Sequence, residues 1–201
     1  MLHQLSQMIT DKSLKKNWIS NDQREICCYA IERRLGSTLF LLLLLLVALV
    51  AGEFLRTISF VSVFFVFRRR MGGWHANSAL LCFILSLSIV LISIFFIGPA
   101  AERLPFSVIL SVNILFSVIL FILPPAFPPQ LHFTAEESRA NTKRKNILLL
   151  ILMALQILLG LTKASKILTY IALSLIATFI TVMIQALVNK NRKKESRHES
   201  T

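Results

Sequence analysis

The chain has 201 residues, of which 55% are apolar and 16% are charged, and its formal net charge is +12. This composition excludes an intrinsically disordered chain, which would carry far fewer apolar residues. A mean hydropathy of +0.70 fits so large a charge only if apolar and basic residues occupy separate blocks. They do, because residues 39–50 are almost wholly aliphatic while basic residues cluster at 68–70, 143–145 and 192–194. Such a sequence is typical of a multi-span membrane protein.

Residues 1–36 form a basic N-terminal segment that we expect at the cytoplasmic face or in the membrane interface. Leu2, Leu5, Met8 and Ile9 recur at helical spacing and are followed by three lysines, a pattern that suits an amphipathic interfacial helix. A solvated or docked helix is the alternative. The basic residues of this segment are scattered among acidic ones, unlike those of a cleavable signal, so we expect the segment in the mature chain.

Apolar segments along the rest of the chain predict about six transmembrane helices in one membrane domain, residues 37–188, followed by a basic tail, residues 189–201. The segments are 37–52, 54–67, 79–98, 106–123, 147–162 and 167–188. A crossing of the bilayer needs about 20 helical residues, so the first, second and fifth segments are short as drawn. Arg56 lies near one end of the second segment, where its side chain can reach the interface.

The distribution of Lys and Arg predicts the orientation of these spans. Counted on alternate sides of six spans, 18 of the 22 basic residues fall on the side that holds both termini, and 4 fall on the other. Short cytoplasmic loops carry the excess of Lys and Arg, so both termini are predicted in the cytoplasm. The expected fold class is therefore an all-α, multi-pass membrane protein.

The same charge predicts the partners. An anionic inner leaflet accounts for the basic residues, so we expect a lipid bilayer and no nucleic acid as partner. The cytoplasmic loop 124–146 opens with two proline pairs, which favour extended backbone that could hold a peptide or act as a stiff connector. A homo-oligomer is an open alternative to a monomer.

Residues 68–82, at the predicted cytoplasmic junction of the second and third spans, hold the only dense cluster of chemically active side chains. His75, a potential base, precedes Cys82, a potential nucleophile, by seven residues. A neighbouring imidazole or a positive field raises the reactive thiolate fraction of a cysteine. The structural alternative is a cysteine that serves as a small apolar residue and a histidine that anchors the interface.

Helix geometry both supports and limits this pair. Seven helical residues rotate by about 700°, which brings both side chains to one face, but they rise about 10.5 Å, which is too far for a hydrogen bond. His75 must therefore lie off the regular helix, and Gly72 and Gly73 supply the freedom for a bend. The following helix should begin near Asn77 or Ser78, either of which could cap it. No metal site or cofactor is predicted, since one His and one Cys give only two ligands.

The run that contains Arg69, Gly72–Gly73, His75–Ala76 and Cys82 resembles the signature of the accessory gene regulator B family, the membrane endopeptidases of bacterial peptide quorum sensing. The resemblance implies an AgrD-like propeptide as substrate, with Cys82 as the nucleophile and His75 as its base. It further implies release of an acidic C-terminal tail through a thioester, followed by thiolactone or lactone closure to an autoinducing peptide. The enzyme would then be a cysteine endopeptidase whose active site faces the cytoplasm.

Further residues are assigned more loosely. Arg69, Arg70, Gly72 and Gly73 are candidates for binding the substrate or stabilising the thiolate, although the arginines could equally serve topology alone. Glu32 and Asn77 are candidates for orienting the catalytic base.

Two other functions are open from the sequence. One is a small transporter or channel that exports a peptide or an ion, with His75 gating by protonation. Such a protein would normally expose polar groups at mid-membrane on several spans, and here only six such residues are available, namely Ser86, Ser88, Ser93, Asn113, Gln156 and Gln185. The other is a scaffold that recruits cytoplasmic partners through the loop 124–146.

Overall fold

The computed structural model describes residues 2–16, 18–73, 79–127 and 135–198. The described residues are 87% helical and contain no strand, which confirms the all-α class. The chain divides into two compact units, Met1–Phe54 and Leu55–Thr201. The predicted division into residues 1–36, 37–188 and 189–201 is based on polarity and stays a prediction.

The first unit consists of two helices joined by a short turn. Helix α1 spans Leu2–Lys15, a single 3₁₀ turn spans Asn21–Gln23, and helix α2 spans Arg24–Val50. The predicted N-terminal helix is thus confirmed. Most of the predicted apolar segment 37–52 forms the C-terminal part of α2, which begins at Arg24. No proline interrupts residues 24–50, so the polar stretch continues into the aliphatic one as a single helix.

Small polar side chains lie on the buried face of α1. Ser6 and Thr10 are buried, and the Ser6 hydroxyl lies 3.4 Å from the Cys28 sulfur of α2. The larger apolar residues Leu5 and Met8 are instead 45% and 69% exposed. The apolar stripe of α1 therefore faces outward, as an amphipathic helix requires, and its placement in the membrane interface stays a prediction.

The second unit contains the remaining helices. In chain order they are α3 (Phe54–Met71), α4 (Ala79–Leu91), a π-helical stretch (Ile92–Ile97), α5 (Gly98–Ala101), α6 (Phe106–Ile122), α7 (Ala135–Leu161) and α8 (Ser165–His198). Helix α7 begins 12 residues before the predicted apolar segment at 147, and α8 continues into the predicted tail. Polar residues with good helical propensity extend both helices beyond their apolar parts.

Within the part of the chain that the structure describes, three helical stretches are long and apolar enough to cross a bilayer, namely Ile84–Ala101, Glu136–Leu161 and Ser165–Asn191. Arg34–Val50 and Phe106–Ile122 are apolar but shorter. These lengths support a membrane protein. The count of six spans and the cytoplasmic position of both termini stay predictions.

The core of the second unit lies between α3, α6, α7 and α8. Its buried members are Val63, Phe67, Met71, Leu120, Leu149, Leu152, Ile171, Leu175 and Val182. The rings of Phe116 and Phe179 add an edge-to-face contact between α6 and α8, with centroids 5.6 Å apart.

A buried polar layer fixes the register of α6 against its neighbours. The Asn113 amide donates to the Leu168 carbonyl at 3.0 Å, and the Gln156 amide donates to the Asn113 oxygen at 3.3 Å and to the Ser117 hydroxyl at 3.2 Å. Buried polar groups cost free energy unless they are paired, so these contacts hold α6, α7 and α8 in one alignment.

Arg56 joins α3 to the residue that follows α5. Its guanidinium binds the Glu102 carboxylate through two contacts of 2.8 and 3.0 Å, and it lies 5.9 Å from the centre of the Tyr170 ring. Tyr170 is fully buried and lies directly against Gly98. A Cβ atom at Gly98 would approach the Tyr170 Cε1 atom to 2.5 Å.

Gly98→Ala should therefore destabilise the protein by about 1–3 kcal/mol, because the buried tyrosine has no room to move. Gly160→Ala is the matched control, since its Cβ would meet only the Leu110 side chain at an ordinary 3.7 Å. Thermal unfolding in detergent micelles measures both. Equal unfolding midpoints for the two variants would contradict the close contact.

Candidate active site

The chain leaves helix α3 through two glycines whose backbone conformation other residues rarely adopt. Helix α3 ends at Met71, and Gly72 and Gly73 have φ angles of +78° and +116°. Side chains other than glycine rarely adopt such angles. The predicted departure from helix at these glycines is therefore confirmed, and residues 71–73 are called the glycine turn below.

The glycine turn pairs with a segment that lies far away in sequence. The Ala126 amide donates to the Met71 carbonyl at 2.8 Å, and the Gly73 amide donates to the Ala126 carbonyl at 3.0 Å. These bonds form a single parallel β-bridge between Gly72 and Ala126. Ala126 belongs to the segment 123–127, called the proline strap below because it contains Pro124 and Pro125.

Both glycines also allow close packing. A Cβ atom at Gly72 would lie 2.9 Å from the Ala126 carbonyl carbon and 2.9 Å from the Phe127 ring. A Cβ atom at Gly73 would lie 3.2 Å from the Thr181 hydroxyl of α8. Glycine at position 72 is thus required twice, for its backbone angle and for the approach of the proline strap.

Helix α7 binds both partners of this pairing through polar side chains. The Asn141 amide donates to the Arg70 carbonyl just before the glycine turn. The buried Lys145 ammonium donates to the carbonyls of Leu120, Phe121 and Leu123, at 2.9, 3.0 and 2.8 Å. These carbonyls lie at the end of α6, where a helix lacks internal partners, so Lys145 supplies the missing donors.

Helix α8 binds the other end of the proline strap. The Asn189 amide donates to the Phe127 carbonyl at 2.9 Å, and its own oxygen accepts a hydrogen bond of 2.8 Å from Gln185. The sequence analysis missed Asn141, Lys145 and Asn189 as contributors to the site. The extended backbone predicted for the two proline pairs was the only signal, and it could not identify the partner segment.

The predicted catalytic pair is only partly within the described structure. His75 and Asn77 lie outside the described residues. Cys82 is the fourth residue of α4, which begins at Ala79, and its side chain also lies outside them. The approach of the imidazole to the thiol therefore stays a prediction.

The arginines and Glu32 have defined surroundings. Arg69 is exposed and Arg70 is partly buried in the last turn of α3, where cations interact favourably with the helix C-terminus. Glu32 lies in the first unit, and its carboxylate is 2.9 Å from the His3 ring nitrogen. His3 is thus the observed partner of Glu32, and its role as an orienter of the base stays a prediction.

A shallow, open groove of about 460 Å³ lies on one face of the first half of α7. It is lined by Ser138, Arg139, Thr142, Lys143, Asn146, Ile147 and Leu150. Its two cations and its hydroxyl and amide groups suit an anionic ligand with an extended backbone. Among the described residues, no three His, Cys, Asp or Glu side chains lie close enough together to hold a metal ion.

The comparison with known families decides the identity of the chain. The family profile described as Accessory gene regulator B matches residues 4–186. The chain belongs to this family. Accessory gene regulator B proteins act in agr quorum sensing and generally serve as proteases in the processing of AgrD, so the family implies an AgrD-type propeptide substrate. Neither a curated protein nor a solved structure matches the chain significantly.

In this accessory gene regulator B protein, Lys145→Met should lower the free energy of unfolding by roughly 3 kcal/mol, because three helix-end carbonyls lose a charged donor. Lys143→Met removes the same charge from an exposed position of α7 and should change stability by less than about 0.5 kcal/mol. Unfolding by a denaturing detergent measures both variants. Similar losses in the two would contradict the role of Lys145 at the end of α6.

Proposed function

We propose that this protein is a membrane cysteine endopeptidase that cleaves the C-terminal tail from an AgrD-type propeptide and promotes cyclisation of the remaining peptide. Membership of the accessory gene regulator B family is the observation that carries this proposal. The glycine turn supports it, because the chain leaves α3 in left-handed backbone directly before the His75 and Cys82 region.

The position of Cys82 on the backbone suits a nucleophile. It is the fourth residue of α4, so it lies within the first turn, where the unpaired amides of a helix N-terminus favour an anionic thiolate. His75 would take the thiol proton as general base. The sulfur would then attack the carbonyl carbon of the scissile peptide bond.

The reaction then proceeds in two steps. The carbon–nitrogen bond breaks, the proton on His75 passes to the leaving amine, and the acidic tail departs while the rest of the propeptide stays on Cys82 as a thioester. The propeptide's own Cys or Ser side chain would then give its proton to His75 and attack the thioester carbonyl. The new bond closes the thiolactone or lactone, and the bond to Cys82 breaks to release its thiolate, which recovers the proton from His75. Exclusion of water, which a membrane interface provides, keeps hydrolysis from competing with ring closure.

The groove on α7 is our candidate for binding the acidic tail. Arg139 and Lys143 provide two cations within the groove. Asn141, on the same stretch of α7, contacts the Arg70 carbonyl next to the glycine turn. A tail in this groove would lie at the same level along α7 as the contact to the glycine turn, on a different face of the helix.

The contacts in the spans argue against the transporter alternative. The amides of Asn113 and Gln156 bind each other, and Ser117 and the Leu168 carbonyl complete their hydrogen bonds. A pathway for a polar solute needs polar groups that face a cavity. Here these groups join helices to one another instead.

Cys82→Ser and His75→Ala should each lower propeptide cleavage at least 100-fold, because the first removes the thiol nucleophile and the second removes its general base. Cys27→Ser, in α2, is the matched control and should cleave at the wild-type rate. Cleavage is measured by release of the C-terminal tail in proteoliposomes, with membrane insertion checked for each variant. Full processing by Cys82→Ser would refute the proposed mechanism.

Charge reversal in the groove should weaken substrate binding. The double variant Arg139→Glu and Lys143→Glu should raise KM for an acidic-tailed propeptide about tenfold and change kcat little, because repulsion acts on the bound tail. Lys166→Glu, an exposed cation at the start of α8, is the control. A propeptide whose tail acids are replaced by amides should bind the double variant and the wild type equally. If the double variant keeps the wild-type KM for the acidic-tailed propeptide, the groove is not the binding site of the tail.

A further inference from the structure

The pairing of the glycine turn with the proline strap is too small to persist by itself. It consists of two backbone hydrogen bonds, both made by Ala126. Pro124 and Pro125 have no amide hydrogen, so the preceding residues of the strap cannot extend the pairing. An isolated two-bond pairing of this kind contributes little net stability in competition with water. Its geometry must therefore depend on side chains that hold the strap from other helices.

Asn189 is placed to hold the C-terminal end of the proline strap. Its amide nitrogen donates to the Phe127 carbonyl at 2.9 Å, directly after Ala126. Gln185, which is buried, donates to the Asn189 oxygen at 2.8 Å. An amide nitrogen can only donate, so the Gln185 contact fixes the rotation of the Asn189 amide with its nitrogen towards Phe127.

Helix α8 contacts both partners of the pairing. Thr181 lies against Gly73, and Asn189 lies two helical turns further along the same helix, against Phe127. One rigid helix thus supports the glycine turn with one side chain and the proline strap with another. Loss of the Asn189 contact would release the strap while leaving the helix itself intact.

We propose that Asn189 is a positioning residue for propeptide cleavage, which holds the proline strap against the glycine turn that leads to His75. This inference rests on the proposed endopeptidase function. Asn189 acts through the strap and does not take part in the chemistry. Its loss should therefore lower the rate of the bound reaction and leave substrate binding nearly unchanged.

The test is the variant Asn189→Asp, which has the same shape but replaces the donor by a carboxylate oxygen that repels the Phe127 carbonyl. We expect kcat for tail release in proteoliposomes to fall about tenfold, with KM within twofold of the wild type. Asn191→Asp makes the same change at an exposed position two residues later and should keep the wild-type kcat. A wild-type kcat for Asn189→Asp would overturn the proposal.

A double-variant cycle separates positioning from general damage. Gly72→Ala breaks the same pairing from the other side, since its Cβ would press on the Ala126 carbonyl. If Asn189 acts through this pairing, kcat of the double variant should match that of Gly72→Ala alone. Losses that multiply would place the action of Asn189 elsewhere and overturn the proposal.

Two further variants keep the outcomes distinct. If Asn189→Asp fails to fold, Gln185→Glu takes its place, because it removes the donor that orients Asn189. This variant should also lower kcat. An unchanged kcat would overturn the proposal. Cys82→Ser tests the underlying function separately. Cleavage that survives Cys82→Ser overturns the endopeptidase mechanism, whereas cleavage that depends on Cys82 but not on Asn189 overturns only the positioning role.

Discussion

The structure of the candidate site depends on one backbone pairing, in which Ala126 binds Met71 and Gly73 through its amide and its carbonyl. Only glycine at position 72 permits this approach, because any Cβ there would collide with the Ala126 carbonyl. The pairing joins the end of α3 to the segment after α6, so two loops of the second unit become one structure. The predicted catalytic residues follow this turn directly.

The surrounding helices stabilise the pairing by satisfying backbone carbonyls. Asn141, Lys145 and Asn189 each donate to a carbonyl of a loop or of a helix end. A buried carbonyl without a donor costs free energy, so each of these donors both stabilises the fold and fixes the position of the loop. The side chains that satisfy this irregular backbone thus also give the candidate site its shape.

The sequence predicted those features that depend on local composition. The helical class followed from the apolar periodicity, and the bend at Gly72 and Gly73 followed from the lack of a side chain. The family resemblance followed from the spacing of His75 and Cys82, and the family profile confirmed it. The pairing with Ala126 and the three carbonyl donors could not be predicted from local composition. Each of these contacts joins residues that lie 22–71 positions apart in the sequence. The continuity of α2 across residues 36 and 37 was not predicted, because the change from polar to aliphatic residues was taken there as a boundary.

The central claim is that Cys82 carries the acyl group between cleavage and ring closure. Mass spectrometry of the enzyme quenched in acid during turnover, with a propeptide whose ring-closing Cys is replaced by Ala, tests it most directly. We expect a mass increase on the peptide that contains Cys82, equal to the propeptide without its tail and removed by hydroxylamine. Release of the tail with no adduct on Cys82, or with the adduct on another residue, would contradict the account.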